Sequence, residues 1–151
     1  MPNWIKHFSE LASFKATNSK DTNTKVGAVI FDEANGVEVS SGWNDLPRGI
    51  THTVERNTAP LKYKLTSHAE ISSITNAARM GRATNGHSIV VTMYPCSLCA
   101  AALINAGIKK VYSPKPDFNH LQYGEDMKLS QMMFDEVGIV WEEIRVNSNE
   151  I

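Results

Sequence analysis

His68, Glu70, Cys96 and Cys99 are the residues of this chain whose types and spacing can do chemistry together. Cys96 and Cys99 are its only cysteines and stand as a C-x-x-C directly after Pro95. In a reducing compartment such a pair binds a metal or works in redox exchange more often than it forms a structural disulfide. Residues three apart on a helix share a face, so both sulfurs can reach one ion. A helix N-terminus favours their thiolate forms. His68 adds a third soft donor. Three protein ligands with a fourth position left for water make the catalytic zinc arrangement rather than the closed structural one. Glu70, two residues after His68, would stand beside that water, whose pKa zinc lowers to about 7. A carboxylate there can take the water's proton and return protons to a ring nitrogen and a leaving amine.

Plainer readings exist for each residue. Ser67-x-x-Glu70 also fits a helix capping box, in which Glu70 serves only its own helix start. A lone His68 would be a helix-end histidine, and a lone C-x-x-C half of a closed site. Closed sites need further Cys or His in a pattern. His7, His52, His87 and His120 show none and read as surface or supporting residues. A non-catalytic zinc or redox module would leave Glu70 and the open coordination position without purpose.

Periodicity supplies the elements that must position these groups. Trp4, Ile5, Phe8, Leu11 and Ala12 recur at helical spacing behind Asn3, an N-cap residue. Residues 25–32 and 37–43 are short apolar, β-branched runs around Asn35-Gly36, the chemistry of a tight hairpin. Residues 44–66, with Pro47, Gly49 and Pro60, have no period and predict a long irregular segment of the kind that carries function. A helix is predicted over 67–80, a strand over 88–93, a helix over 97–106 and a strand over 110–113. A helix over 125–137 and a strand over 139–146 follow. This β-α-β-α-β half implies right-handed crossovers and parallel pairing. Joined to the hairpin it makes an α/β domain, residues 1–151, with a mixed five-stranded sheet covered by helices. Met127, Met132, Met133, Phe134 and Val137 read as a core stripe or a subunit contact.

Composition narrows the partners. The chain has 151 residues, 42% of them hydrophobic and 21% charged, as a globular domain does. No apolar run approaches the roughly 18 residues that span a bilayer. The opening Met1-Pro2-Asn3-Trp4 lacks the order of a signal peptide, so a cytoplasmic location is expected. A formal charge of −1 argues against long nucleic acid as a partner, because such affinity is dominated by neutralised phosphates. A small phosphorylated ligand needs only a few cations, and Arg48, Arg56, Lys62 and Lys64 are candidates.

His68-Ala69-Glu70 followed by Pro95-Cys96-Ser97-Leu98-Cys99 resembles the H-x-E…P-C-x-x-C signature of the zinc nucleobase deaminases. Within that superfamily the chain is similar to the deoxycytidylate deaminases. The resemblance lies in Lys25-Val26-Gly27-Ala28-Val29-Ile30, in Ser41-Gly42-Trp43-Asn44-Asp45-Leu46-Pro47-Arg48-Gly49 and in Lys62-Tyr63. It departs from the family's G-Y-N-G-x-P-x-G at Trp43 and at Asp45.

The resemblance implies a three-layer α-β-α cytidine deaminase-like fold. It implies one catalytic Zn2+ per chain on His68, Cys96 and Cys99, with Glu70 as proton shuttle, and hydrolysis of dCMP to dUMP and ammonia. Asn44 would bond the sugar hydroxyl, Ala28 and Ala69 would line the base, and Tyr123 would close the pocket. It further implies a homohexamer, activated by dCTP and inhibited by dTTP. The effector would be held, with Mg2+ on its triphosphate, by Gly42, Trp43, Asn44, Asp45, Arg48 and Gly49. A second, structural zinc would lack its cysteines here. The same fold also serves deaminases of free cytosine or guanine, cytidine, dCTP and tRNA adenosine, which remain rivals. A tRNA editor would need a basic groove. Beside these roles stand a turn for Asn44, strand packing for Ala28, plain surface for Tyr123 and a simple Gly/Pro link for 42–49.

Overall fold

Gly27–Asp32 and Ser88–Val91 bury almost every side chain, so both strands must lie inside a sheet covered on its two faces. The computed structural model, which describes residues 3–145, shows how. Its elements are α1 (Trp4–Ala16), β1 (Gly27–Asp32), β2 (Val37–Trp43), α2 (Lys62–Leu65) and α3 (Ala69–Arg79). They continue with β3 (Ser88–Val91), α4 (Ser97–Asn105), β4 (Lys110–Ser113), α5 (Gly124–Val137) and β5 (Val140–Glu143). The strands form one sheet in the order β2-β1-β3-β4-β5. β1 is antiparallel to both β2 and β3, while β3, β4 and β5 run parallel. The hairpin and the parallel half both form as predicted. The last strand is shorter than its predicted span, and residue 146 lies outside the described residues.

Strand alternation sorts the core into two faces. Ala28, Ile30, Ile89, Val91 and Val111 meet Ala69, Ala100, Leu103 and Phe134 on one side. Val29, Phe31, Val90 and Tyr112 meet Phe8 and Ala12 of α1 on the other. Phe8 stacks on Phe31 with ring centres 4.6 Å apart. Each fully buried side chain of this size contributes about 1.5–3 kcal/mol. α3, α4 and α5 therefore cover one face and α1 the other, which is the three-layer arrangement. On α5, Phe134 is buried and Met127 and Met133 pack against the first core, while Met132 and Val137 are exposed. The apolar stripe thus serves the core along only part of its width. No described helix is long and apolar enough to cross a membrane.

Two glycines let helices lie directly on the hairpin. A Cβ on Gly27 would sit 1.9 Å from the Ala12 carbonyl oxygen of α1. One on Gly42 would sit 2.8 Å from Ser72 and from the Ser73 nitrogen of α3. Gly42 is therefore required by helix packing.

The segment after β2 leaves and returns at one neck. Asp45 N–H donates to the Ser67 carbonyl at 3.2 Å, and Ser67 N–H donates to the Asp45 carbonyl at 2.9 Å. Between them lies α2, a single short turn whose four residues carry no readable period. Lys62 of α2 is 5% exposed and pairs with Asp21 at 3.2 Å, so it is a structural ion and not a phosphate partner. Asn57 Nδ2 donates to the Lys20 carbonyl at 2.8 Å, a second tie to the loop after α1.

Candidate active site

Two helix N-termini converge beside the sheet. α3 starts from His68 and α4 from Cys96, both N-caps in extended backbone. His68 Nδ1 lies 3.3 Å from Cys99 Sγ and 3.5 Å from Cys96 Sγ. The ligand atoms of the three residues all lie within 4.8 Å of one another. Around a tetrahedral zinc, bond lengths of about 2.3 Å to sulfur and 2.0–2.1 Å to nitrogen put neighbouring donors about 3.5 Å apart. The donor set fits that ion. Cys99 is buried, Cys96 partly so, and His68 is exposed, so the centre is closed beneath and open to solvent above.

The sulfurs act as a pair. A hydrogen bond from the Cys99 thiol, aided by His68, pulls the Cys96 thiol down to about 4 although burial opposes it. Cys99 moves the other way, because its proton serves Cys96 and because it is buried. Without metal the pair keeps one proton, which an arriving cation must displace.

Glu70 sits in the first turn of α3 and is 5% exposed. Burial pushes its carboxyl from an ordinary 4.5 up to about 7, against the opposing bond from its own N–H. A group that titrates near neutrality can both take and give a proton at working pH. The capping box does not form: His68 and not Ser67 is the N-cap, and Ser67 Oγ pairs with Ser72 Oγ at 2.9 Å.

Residues 2–114 match the sequence profile of the family described as Cytidine and deoxycytidylate deaminase zinc-binding region. The chain belongs to that family. It is a hydrolytic deaminase of the cytidine deaminase superfamily. An uncharacterized deaminase from the luxG 3′ region of Aliivibrio fischeri is 39% identical over 137 residues, 90% of each chain. Human deoxycytidylate deaminase is 29% identical over 144 residues, 91% of this chain and 78% of the human one. The dCMP deaminase of cyanophage S-TIM5, solved with dCMP and dUMP, shares the fold with a TM-score of 0.74. It is 24% identical, and the match covers 95% of this chain and 99% of that one.

Around this deaminase centre the other predicted residues divide. Ala28 and Ala69 are fully buried in the core beside it. The Asn44 side chain works on the backbone: Oδ1 accepts from Val26 N–H at 2.8 Å and Nδ2 donates to the Thr24 carbonyl at 2.9 Å. One amide hydrogen is left over for a ligand. Tyr123 is 43% exposed at the start of α5, stacked on His120.

A cleft of about 720 Å³ brings together Gly42, Trp43, Asp45, Arg48 and Gly49 but not Asn44. Asp45 faces His52 at 3.5 Å, so His52 has a partner that its sequence context did not reveal. α3 supplies the opposite wall with Ser72, Thr75, Asn76 and Arg79, a set sequence reading passed over. Its spacing of three, one and three is a polar stripe at helical period, a signal that was there to be read. Arg56 is not among the lining residues, and its Nη1 donates to the Thr51 carbonyl within its own loop.

Proposed function

We propose that this chain converts dCMP and water to dUMP and ammonia. The observation that carries the reading is the His68–Cys96–Cys99 triangle with the buried Glu70 carboxyl beside it. Zinc held by these three donors supplies an acidified water, with a pKa lowered to about 7. Glu70 takes the proton of the attacking water and hands it to the ring nitrogen next to the reacting carbon. It then takes the second proton from the newly added hydroxyl, whose oxygen becomes the carbonyl of the product, and delivers it to the amine. The carbon–oxygen bond forms, the carbon–nitrogen bond breaks, and ammonia leaves. Helix N-termini on both sides favour the charge of the thiolates.

The choice of dCMP is supported by the relatives, several of which are named deoxycytidylate deaminases. Asn44 as sugar ligand, Ala28 and Ala69 as walls and Tyr123 as lid complete the reading. An ammonia-release screen over dCMP, CMP, dCTP, deoxycytidine and cytosine tests it. A preference for any phosphate-free compound would refute it.

Regulation by dCTP and dTTP through the 720 Å³ cleft is the second part of the proposal. Arg48 and Arg79 on its walls suit a triphosphate, with Mg2+ offsetting Asp45. The neck between Asp45 and Ser67 ends one residue before His68, which supports a link from cleft to metal centre. A homohexamer could spread the effect between chains, and light scattering tests that assembly. A cytoplasmic home accords with the two free cysteines.

A further inference from the structure

Cys96 lies between two peptides, and α5 holds both. After it, the Asp126 carboxylate accepts from the Ser97 N–H at 2.8 Å and from the Ser97 hydroxyl at 2.5 Å. Before it, the Ser130 hydroxyl donates to the Pro95 carbonyl at 2.9 Å. Its other acceptor, the Asp126 carbonyl within the helix, is farther away at 3.5 Å. Asp126 and Ser130 stand four positions apart, one turn along a single face of α5. Ser130 and Pro95 are fully buried, so solvent cannot replace their bond.

These bonds satisfy groups that α4 cannot satisfy itself. Ser97 N–H is the first donor of the helix and has no carbonyl within it. A carboxylate is the acceptor that a helix N-terminus prefers. Cys96 Sγ already accepts from Cys99 N–H, so sulfur and carboxylate satisfy two of the three free donors of the first turn. Pro95 brings no N–H of its own, which leaves its carbonyl as the one backbone polar group of that residue. α5 holds both this carbonyl and the Ser97 N–H.

We propose that α5 braces the metal centre: Asp126 and Ser130 are positioning residues that fix the chain on both sides of Cys96 and keep the two sulfurs at ligating geometry. The inference rests on the zinc reading above. Removing groups that orient metal ligands typically lowers metal affinity by about 10- to 100-fold. Simple packing of α5 on α4 would make a different prediction, namely lower thermal stability with unchanged metal binding.

The test measures zinc release from the full-length, zinc-loaded chain to a chromogenic chelator, and the absorption spectrum of the cobalt(II)-substituted protein. Wild type, Asp126→Asn, Ser130→Ala, Ser97→Ala and Ser97→Thr are compared, with thermal unfolding of each metal-free protein alongside. Asp126→Asn should release zinc about 10- to 100-fold faster and change the cobalt–thiolate bands. Ser130→Ala should shift both in the same direction. Ser97→Thr, which keeps the hydroxyl, should restore the rate that Ser97→Ala loses. If Asp126→Asn does not fold, the Ser97 pair carries the same comparison. Lower melting temperatures with wild-type release and spectra would overturn the brace. A wild-type chain that takes up neither zinc nor cobalt would overturn the zinc reading itself, and the brace with it.

Discussion

Lys62 Nζ lies 3.2 Å from Asp21 Oδ2 across 41 positions of chain, with both groups nearly out of reach of water. Burial works against the Asp21 charge. The N–H groups of Asn23 and Thr24 and the Lys62 ammonium outweigh it and hold the carboxyl below its ordinary 3.8. A carboxylate with a depressed folded value contributes stability above its unfolded value, and that stability is lost as pH falls through the folded one. Lys62→Met should therefore cost about 3 kcal/mol at pH 7. The gap to wild type should narrow below about pH 4. Denaturant unfolding at the two pH values checks this, and an equal loss at both would contradict it.

Glu70→Gln should keep zinc and fold while turnover drops by at least about 100-fold, the scale of general acid–base catalysis. The same substitution has a signature in stability. The folded carboxyl titrates at about 7 and the unfolded one near 4.5, so between those values the native state binds more protons. The stability that Glu70 contributes to the metal-free protein therefore falls as pH rises from 4.5 to 7. Glutamine has no proton to lose. Metal-free Glu70→Gln should be the more stable protein by up to about 3 kcal/mol at pH 8, with no advantage at pH 4. Parallel melting curves across this range would expose a flat difference.

Cys99→Ser should lower zinc affinity by more than about 100-fold, beyond what removal of a merely orienting contact reaches. Metal analysis after dialysis is the measurement. Unchanged zinc content would remove Cys99 from the ligand set.

Arg48→Ala and Arg79→Ala should each weaken the response of dCMP turnover to dCTP and dTTP in the presence of Mg2+, and the double variant should abolish it. Charge-assisted contacts to phosphate contribute about 1.5–3 kcal/mol each, so the effector concentration for half response should rise by roughly 10- to 100-fold per residue. A wild type that ignores both nucleotides at millimolar concentration would leave the cleft without this role.

What could be read in advance was local. β2 and β4 occupy the predicted spans because their apolar, β-branched runs end at clear turn residues. The metal triangle was legible because C-x-x-C and H-x-E fix their own geometry at two helix starts. Interactions across the chain were not. Lys62 reads as a surface cation until the path of the chain buries it against Asp21. Asp126 and Ser130 look like ordinary helix polars until α5 packs beside Pro95 and Ser97. His52 and Arg79 acquire meaning only when the 44–66 segment folds over α3.

The neck between Asp45 and Ser67 also says where this chain can grow. With the ends of the segment pinned, added residues at its exposed tip near Val54 only lengthen a loop that is already closed. Doubling such a loop costs about 0.6 kcal/mol. New sequence, even a small inserted module, can therefore enter at Val54 without moving His68.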